Sequence, residues 1–463
     1  MNTERKEYTK DIVVIGAGIT GLTTAYWLKK EGKDVEVLEK EERFGGQIHT
    51  FHVDGYLFES GPNTGVLSSP EAVELFNSIA ADCQVDIARS SAKRRLVWKK
   101  DSFTALPTSL STAITTPLFT TYDKLRILGE PFRAKGTDPN ESVADMVKRR
   151  LGNSYYNYAV DPFIAGIYAG DPTKLITRYA LPKLYQLEQN YGSFICGAIK
   201  KAKEKKTERE RLATKDVFSP NHGMEQIVKA LAKNIDEKNI VLGANNLSVA
   251  PQEDGSYSVT YTSSQGNECV VRANKVITTC GAYALPQVLP FVTKAEKQAL
   301  SNLTYAPVVQ VGVGIKYVNN HTLNAFGGLV PTIEQQKLLG VLFTSACFDN
   351  RAPQNSTTLS FFLGGMKDQD MVNKSDEEIV SLVKDALHRM LKVPNDVEIE
   401  AIKISRHQRA IPQYWANTEE RIKAVQAVEQ RYKGLIVAGN LRDGIGIADR
   451  IKQGTLVAQS ILG

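Results

Sequence analysis

The segment DIVVIGAGITGL, residues 11–22, restricts what this chain can fold into more than any other stretch. Ile12, Val13, Val14 and Ile15 are apolar without alternation, which predicts a short parallel strand buried on both faces. Gly16, Gly18 and Gly21 complete G-x-G-x-x-G, and a helical pattern follows from Leu22 to Lys30. Gly16 permits the tight turn, Gly18 lets the backbone approach a pyrophosphate, and Gly21 lets helix and strand pack closely. Beyond the turn signal Gly32, DVEVLEK reads as a second strand ending in Glu39, an acid placed to accept hydrogen bonds from ribose hydroxyls and to disfavour a 2′-phosphate. The glycines alone are also compatible with a turn that binds nothing. Strand, glycines, helix, strand and acid in register predict instead a βαβ unit that seats a dinucleotide pyrophosphate on the helix N-terminus.

At 463 residues the chain exceeds one ordinary core and has room for two or three domains. Its net charge of +6, from 57 basic and 51 acidic residues, is too small to argue for nucleic acid. Cys83, Cys196, Cys269, Cys280 and Cys347 lie far apart with no C-x-x-C pair, and the six histidines include no H-E-x-x-H. Neither a disulfide framework nor a metal site is expected, and a reducing compartment is. The polar opening MNTERKEYTK carries no signal-peptide pattern, and no apolar run approaches the roughly 18–20 residues of a membrane span. The expected location is cytoplasmic.

Residues 1 to about 85 read as βαβ followed by loops and a helix, and residues 96–211 as mostly helical, with ESVADMVKRRLG starting from a cap at Asn140. Strand patterns return in NIVLGANNLSVA, SYSVTYTS and KVITTC between 240 and 280, with Asp254-Gly255 as a hairpin turn. Further strands are predicted over 305–316 and 357–365, and an amphipathic helix over 375–392. GLIVAGN is another buried strand, followed by a glycine-rich turn and a helix over 453–462. A second complete G-x-G-x-x-G is absent, which suggests one bound dinucleotide whose electrons leave to oxygen or another diffusible acceptor.

After Glu39 the chain continues KEERFGGQIHTF, in which Arg43, Gly45 and Gly46 resemble the R-x-G-G-R segment of the flavin amine oxidase superfamily, with Gln47 where a second arginine is common. ESGPNT, residues 59–64, resembles that superfamily's loop near the flavin ring. LPTSL, DPFIAGIYAGDPTKLITRYALPKLYQLEQNYGS, FGGLVP, IPQY and AGNLRDGIGIADRIKQG, in this order, resemble the protoporphyrinogen oxidase family, which includes the bacterial coproporphyrinogen III oxidases. The resemblance implies an α/β fold: a Rossmann-type FAD-binding domain (1–85, 212–285 and 431–463), an α+β substrate domain (286–430 with 86–95) and a helical insertion (96–211) that contacts a membrane.

It also implies one non-covalent FAD per chain, held by Gly16, Ala17, Gly18, Ile19, Thr20, Gly21, Glu39, Lys40, Arg43, Gly45, Gly46, Gln47, Gly61, Pro62, Asn63, Thr64, Leu247, Ile445, Gly446 and Ile447. Arg95, Phe326, Gly327, Leu329, Leu342 and Phe362 would form the substrate pocket, with Arg95 as a propionate partner. The implied reaction is oxidation of protoporphyrinogen IX to protoporphyrin IX in three two-electron steps, with O2 as acceptor and H2O2 released. No protein side chain is nominated as catalytic, because the flavin carries the chemistry. Coproporphyrinogen III as substrate, another amine oxidase or desaturase activity, and a silent flavin-binding scaffold remain open alternatives. Hand-off to ferrochelatase, a monomer or homodimer, and peripheral membrane contact belong to the same implication. The basic segment AIKKAKEKKTERER, 198–211, reads first as a solvated helix or mobile loop, with attraction to an anionic leaflet as the sharper alternative.

Overall fold

A computed structural model gives the structure of residues 5–319 and 323–463; residues 1–4, part of the polar opening, lie outside it. The run Ile12–Ile15 is the buried end of the strand Lys6–Ile15, which has parallel neighbours on both sides. Ile12 stands opposite Val35 and Ile15 opposite Leu38 on one side, and Val14 opposite Ile277 on the other. Burial on both faces is why these strands are continuously apolar. The strand Glu268–Thr278 pairs antiparallel with Tyr257–Thr262 along its first half, and parallel with Leu435–Val437 over its last three residues. The end of the chain thereby returns beside the first glycine turn. Helix Ile19–Lys30 crosses the C-terminal helix Ile447–Leu462 at Gly454, where a Cβ would stand 2.6 Å from the Thr20 carbonyl oxygen.

The second large sheet runs in the order Ile399–Pro412, Tyr305–Ile315, Thr357–Gly364, Leu338–Leu342, Gly327–Leu329, Arg95–Lys99, Ser102–Ala105. One face carries the core residues Leu96, Trp98, Val309, Val311, Val341, Phe361 and Leu363; period-two alternation turns their neighbours toward the first domain. A helical segment from Leu110 to Arg211 sits beyond, held by a small apolar core and by the buried Arg150–Glu130 ion pair. Asp161 fastens it to the second sheet by accepting from the Thr332 amide at 2.7 Å and pairing with Lys367 at 2.7 Å.

Several elements differ from the sequence reading. Residues 95–105, expected to run into the helical segment, form a hairpin of the second sheet; Lys100 and Asp101 both adopt the positive φ (48° and 58°) of a tight two-residue turn, without the glycine that usually signals one. The expected loops after the βαβ unit contain the hairpin Thr50–Val53 and Tyr56–Glu59, turned by Asp54-Gly55. The cap of helix Val143–Arg150 is Ser142, which accepts from the Asp145 amide at 3.1 Å, while the Asn140 side chain accepts from Arg178. Beyond Asp376–Asp385 the helix widens into a π turn over Ala386–Met390, and the last helix starts at Ile447 rather than 453. Leu289, Leu300, Val425 and Val428, within the segment assigned above to substrate binding, pack into the core under the first large sheet because their amphipathic segments cover its second face.

Candidate functional site

The three glycines of the first turn divide by what surrounds them. A Cβ on Gly21 would fall 2.0 Å from the Gly16 carbonyl oxygen, and one on Gly16 would meet Thr279 Oγ1 at 2.8 Å, at a φ of +106°. A Cβ on Gly18 would meet nothing within 4 Å. Gly16 and Gly21 are therefore glycine for packing and backbone conformation, whereas Gly18 keeps open a space that the protein itself does not fill. A second loop docks on this one: the Gly45 amide donates to the Ala17 carbonyl at 2.8 Å, and Gly46 lies against the Gly18 Cα. Arg43 donates to the carbonyls of Phe44, Gly46 and Ile48, so its guanidinium staples this loop. Gln47 donates its amide to the carbonyls of Arg409 and Ala410 at 3.0 and 3.1 Å, bridging to the second sheet.

Glu39 is buried at the end of Val35–Leu38. Its carboxylate accepts from the Ala17 amide at 2.7 Å and from the Glu41 amide at 3.0 Å, with lone pairs left over for further donors. Lys40 points away and pairs with Glu41 at the surface. Leu247 belongs to the edge strand Asn245–Pro251, which the Ala244 amide ties to the Glu39 carbonyl at 2.8 Å.

The other end of the site is a line of positions across the second sheet. Arg95 stands opposite Gly327, and Gly327 opposite Leu342; two residues on, Leu329 stands opposite Gly340, which faces Phe362. Steps of two keep all six on one sheet face, although they span residues 95 to 362. Gly327 and Gly340 leave the floor low between the side chains of Leu329, Leu342 and Phe362. The Arg95 guanidinium lies 5.5 Å from the centre of the Phe326 ring, and its side chain is exposed.

These two ends share one cavity of about 550 Å3, within the range of small-molecule sites. Gly18, Ile19, Thr20, Gly45, Gln47, the loop Gly61 to Thr64, and Ile445, Gly446 and Ile447 line it, as do all six expected substrate residues. Gly16, Ala17, Gly21, Glu39, Lys40, Arg43, Gly46 and Leu247 lie outside its lining. The sequence reading missed several wall residues. Phe163 and Ile167 reach the cavity from helix Asp161–Tyr168, one turn apart, and are apolar yet 38% and 43% exposed. Gln310, which donates to the Glu59 carbonyl at 2.7 Å, and His407, bonded through Nε2 to the Ser60 carbonyl, close the junction between the two ends. Burial holds the His407 imidazole below its ordinary range. Their signal in the sequence was only strand alternation. The walls contain two arginines, Arg95 and Arg450, and no carboxylate. No group of three or more metal-ligating side chains occurs among the described residues.

Open space at Gly18, positive ends at two helices, and walls without a carboxylate fit a bound dinucleotide anion. A protoporphyrinogen oxidase of Nicotiana tabacum chloroplasts is 28% identical over 98% of this chain and 85% of its own length. The coproporphyrinogen III oxidase of Bacillus subtilis is 25% identical over 98% of both chains. A crystal structure from Exiguobacterium sp. 255-15 superposes with a TM-score of 0.79 over 98% of both chains at 22% identity, which establishes the shared fold. The family described as flavin containing amine oxidoreductase matches residues 19–462, and the chain belongs to that family, an oxidoreductase on an α/β flavin-binding fold.

Proposed function

We propose that this chain is an FAD-dependent porphyrinogen oxidase that converts protoporphyrinogen IX to protoporphyrin IX. The observation that carries the reading is the continuity of the cavity: an end bounded by glycine loops runs into an apolar region lined by Phe326, Leu329, Leu342 and Phe362, with the exposed Arg95 in its wall. Bound FAD would supply two-electron oxidation and return its electrons to O2, giving one H2O2 per step. The chain's own residues do the rest. Phe326, Leu329, Leu342 and Phe362 exclude water from a large flat macrocycle, and the low floor at Gly327 and Gly340 lets its edge approach the cofactor. Arg95 binds a propionate through the two parallel donors of its fork.

Relatives bearing both substrate names support the class of reaction. Between the two substrates, a wall with one accessible cation suits the two propionates of protoporphyrinogen better than the four carboxylates of coproporphyrinogen III. Parallel turnover of both porphyrinogens, with H2O2 and extracted flavin measured, tests the proposal. Faster protoporphyrin formation with one H2O2 per two electrons is expected. Preference for coproporphyrinogen III would reassign the substrate. Oxidation of amines alone, or bound flavin without porphyrinogen turnover, would overturn the reading in favour of another amine oxidase or a scaffold.

Peripheral membrane contact belongs to the same proposal. Its support is a set of exposed apolar side chains on the neighbouring helices Leu110–Thr115 and Thr121–Leu128 and the turn after them: Leu110, Ile114, Tyr122, Leu125, Leu128 and Phe132, the last 90% exposed. No helix among the described residues is long and apolar enough to cross a membrane.

A further inference from the structure

We infer that Arg450 is the cation that binds the diphosphate of the dinucleotide. The inference rests on the proposed binding of a dinucleotide in this cavity and extends it to a residue that no motif marked. Arg450 lines the cavity and is 5% exposed. Its Nη1 donates to the Gly439 carbonyl at 2.6 Å and to Gln453 Oε1 at 2.8 Å, and its Nη2 donates to the Arg442 carbonyl at 2.8 Å. These contacts aim the guanidinium without neutralising it. Its Nε is buried and has no acceptor within the protein.

The nearby acids are committed elsewhere. Asp449 accepts from the Gly446 amide at 3.2 Å, and Asp443 accepts from the Gln453 amide at 2.7 Å and lies 3.6 Å from Arg442. Burial pushes the Arg450 guanidinium below its ordinary range, with Tyr414, Asp443 and Asp449 opposing that only in part. A buried cation whose direct hydrogen-bond partners are all neutral is costly, and a bound anion would reduce the cost.

The location specifies which anion. The Arg450 carbonyl accepts from the Thr20 hydroxyl at 3.4 Å, and Thr20 is in the first turn of the helix that follows Gly18. Arg450 is itself in the first turn of Ile447–Leu462, whose cap Gly446 lines the cavity. Gly18, Gly446 and Gly439, whose carbonyl holds the guanidinium, thus line one cavity with Arg450. The other arginine in the cavity wall, Arg95, is exposed and serves a different anion.

The test uses the full-length chain depleted of flavin, as wild type, Arg450→Met and Arg450→Lys, titrated with FAD, ADP and adenosine. Arg450→Met should weaken FAD and ADP by about 10- to 150-fold, the range of a charge-assisted contact, and leave adenosine unchanged. Its flavin-free thermal midpoint should equal or exceed that of wild type, because an uncompensated buried cation has been removed. Unchanged ADP affinity would overturn the inference. So would an equal loss of ADP and adenosine with a lowered midpoint, the signature of a loop clamp acting through Gly439 and Arg442. Should Arg450→Met not fold, the test passes to wild type and Arg450→Lys: ADP must bind wild type at least about tenfold more tightly than adenosine, and that advantage must shrink with lysine, which lacks the fork. Equal binding of the two ligands overturns it. A chain that binds NAD instead of FAD would sink the proposed function and leave Arg450 standing, since ADP is common to both dinucleotides.

Discussion

At the proposed nucleotide end of the cavity, the walls come from short loops, each anchored to the end of a strand or helix, and most of the expected contacts are backbone. At the proposed substrate end, five strands and a helix between residues 95 and 362 contribute one to four residues apiece. The first end works by leaving side chains out, the second by placing them. Backbone recognition needs glycine at fixed spacing, so it leaves a local trace in the sequence. Side-chain recognition on a sheet needs only correct register between strands that are far apart in the chain, and register is invisible until the strands are paired.

The strongest way to break this comparison is to add side chains at the nucleotide end. Gly18→Val should fold, because its Cβ meets nothing within 4 Å, yet flavin absorbance per chain should fall below about one tenth of wild type because the added bulk occupies the pyrophosphate space. Gly21→Ala should instead lose the fold, by about 3 kcal/mol or more, since its Cβ falls 2.0 Å from a backbone oxygen. Flavin content and thermal midpoint together separate the two. Full flavin in Gly18→Val would mean that the loop is only structural.

The junction between the ends holds Glu59, whose carbonyl accepts from Gln310 while its carboxyl meets the Met224 amide and Thr50 hydroxyl at 2.8 Å each. Burial raises the carboxyl from 4.5 to about 7, outweighing those two donors. The folded chain therefore holds this proton more tightly than the unfolded chain does. Stability from this group is fully present below pH about 4.5 and is lost as pH rises through about 7, a swing of roughly 3 kcal/mol. Glu59→Gln should flatten the dependence of the unfolding midpoint between pH 5 and pH 8, a window set by this shift. An unchanged slope would mean that Glu59 is ionised throughout.

How far the sequence foretold this molecule follows the same division. The βαβ unit, Glu39 and the return strand Leu435–Val437 were legible because apolar runs and glycines mark them locally. The hairpin at 95–105 was missed because its turn residues, Lys100 and Asp101, adopt positive φ without glycine. Arg450 carries no motif, and only folding brings it beside Thr20. Arg95, Phe326, Gly327, Leu329, Leu342 and Phe362 were named through resemblance to a family; the shared sheet face supplies the physical reason that all but Phe326 stand together, and Phe326 is held beside them by its amide's bond to the Arg94 carbonyl.

Arg95 sharpens the comparison from the substrate side. Arg95→Ala should lower kcat/KM for the porphyrinogen by about 10- to 150-fold, the worth of one charge-assisted contact, while flavin content stays full. Arg94→Ala should lose less, because Arg94 donates to the Asn324 carbonyl at 3.3 Å. Lysine at 95 should restore part of the activity, keeping charge without the fork. Wild-type kinetics in Arg95→Ala would remove the substrate from this end of the cavity.

The smallest effect concerns the membrane, where two regions of the helical segment compete for one role. The basic stretch around Lys200 and Lys201 offers charge, and helices Leu110–Thr115 and Thr121–Leu128 offer exposed apolar side chains with none of their residues buried. Apolar insertion persists at high salt, whereas attraction to an anionic leaflet is screened within about 8 Å at physiological ionic strength. Leu125→Ser with Leu128→Ser should weaken sedimentation with vesicles about three- to tenfold at any salt, because only part of each side chain enters the lipid. Lys200→Gln with Lys201→Gln should cost no more than about fivefold, on anionic vesicles alone, and nothing at high salt. The reverse order would move the contact to the basic stretch. A wild-type chain that sediments with neither zwitterionic nor anionic vesicles would leave the exposed leucines without a membrane role, and with it the peripheral contact proposed here.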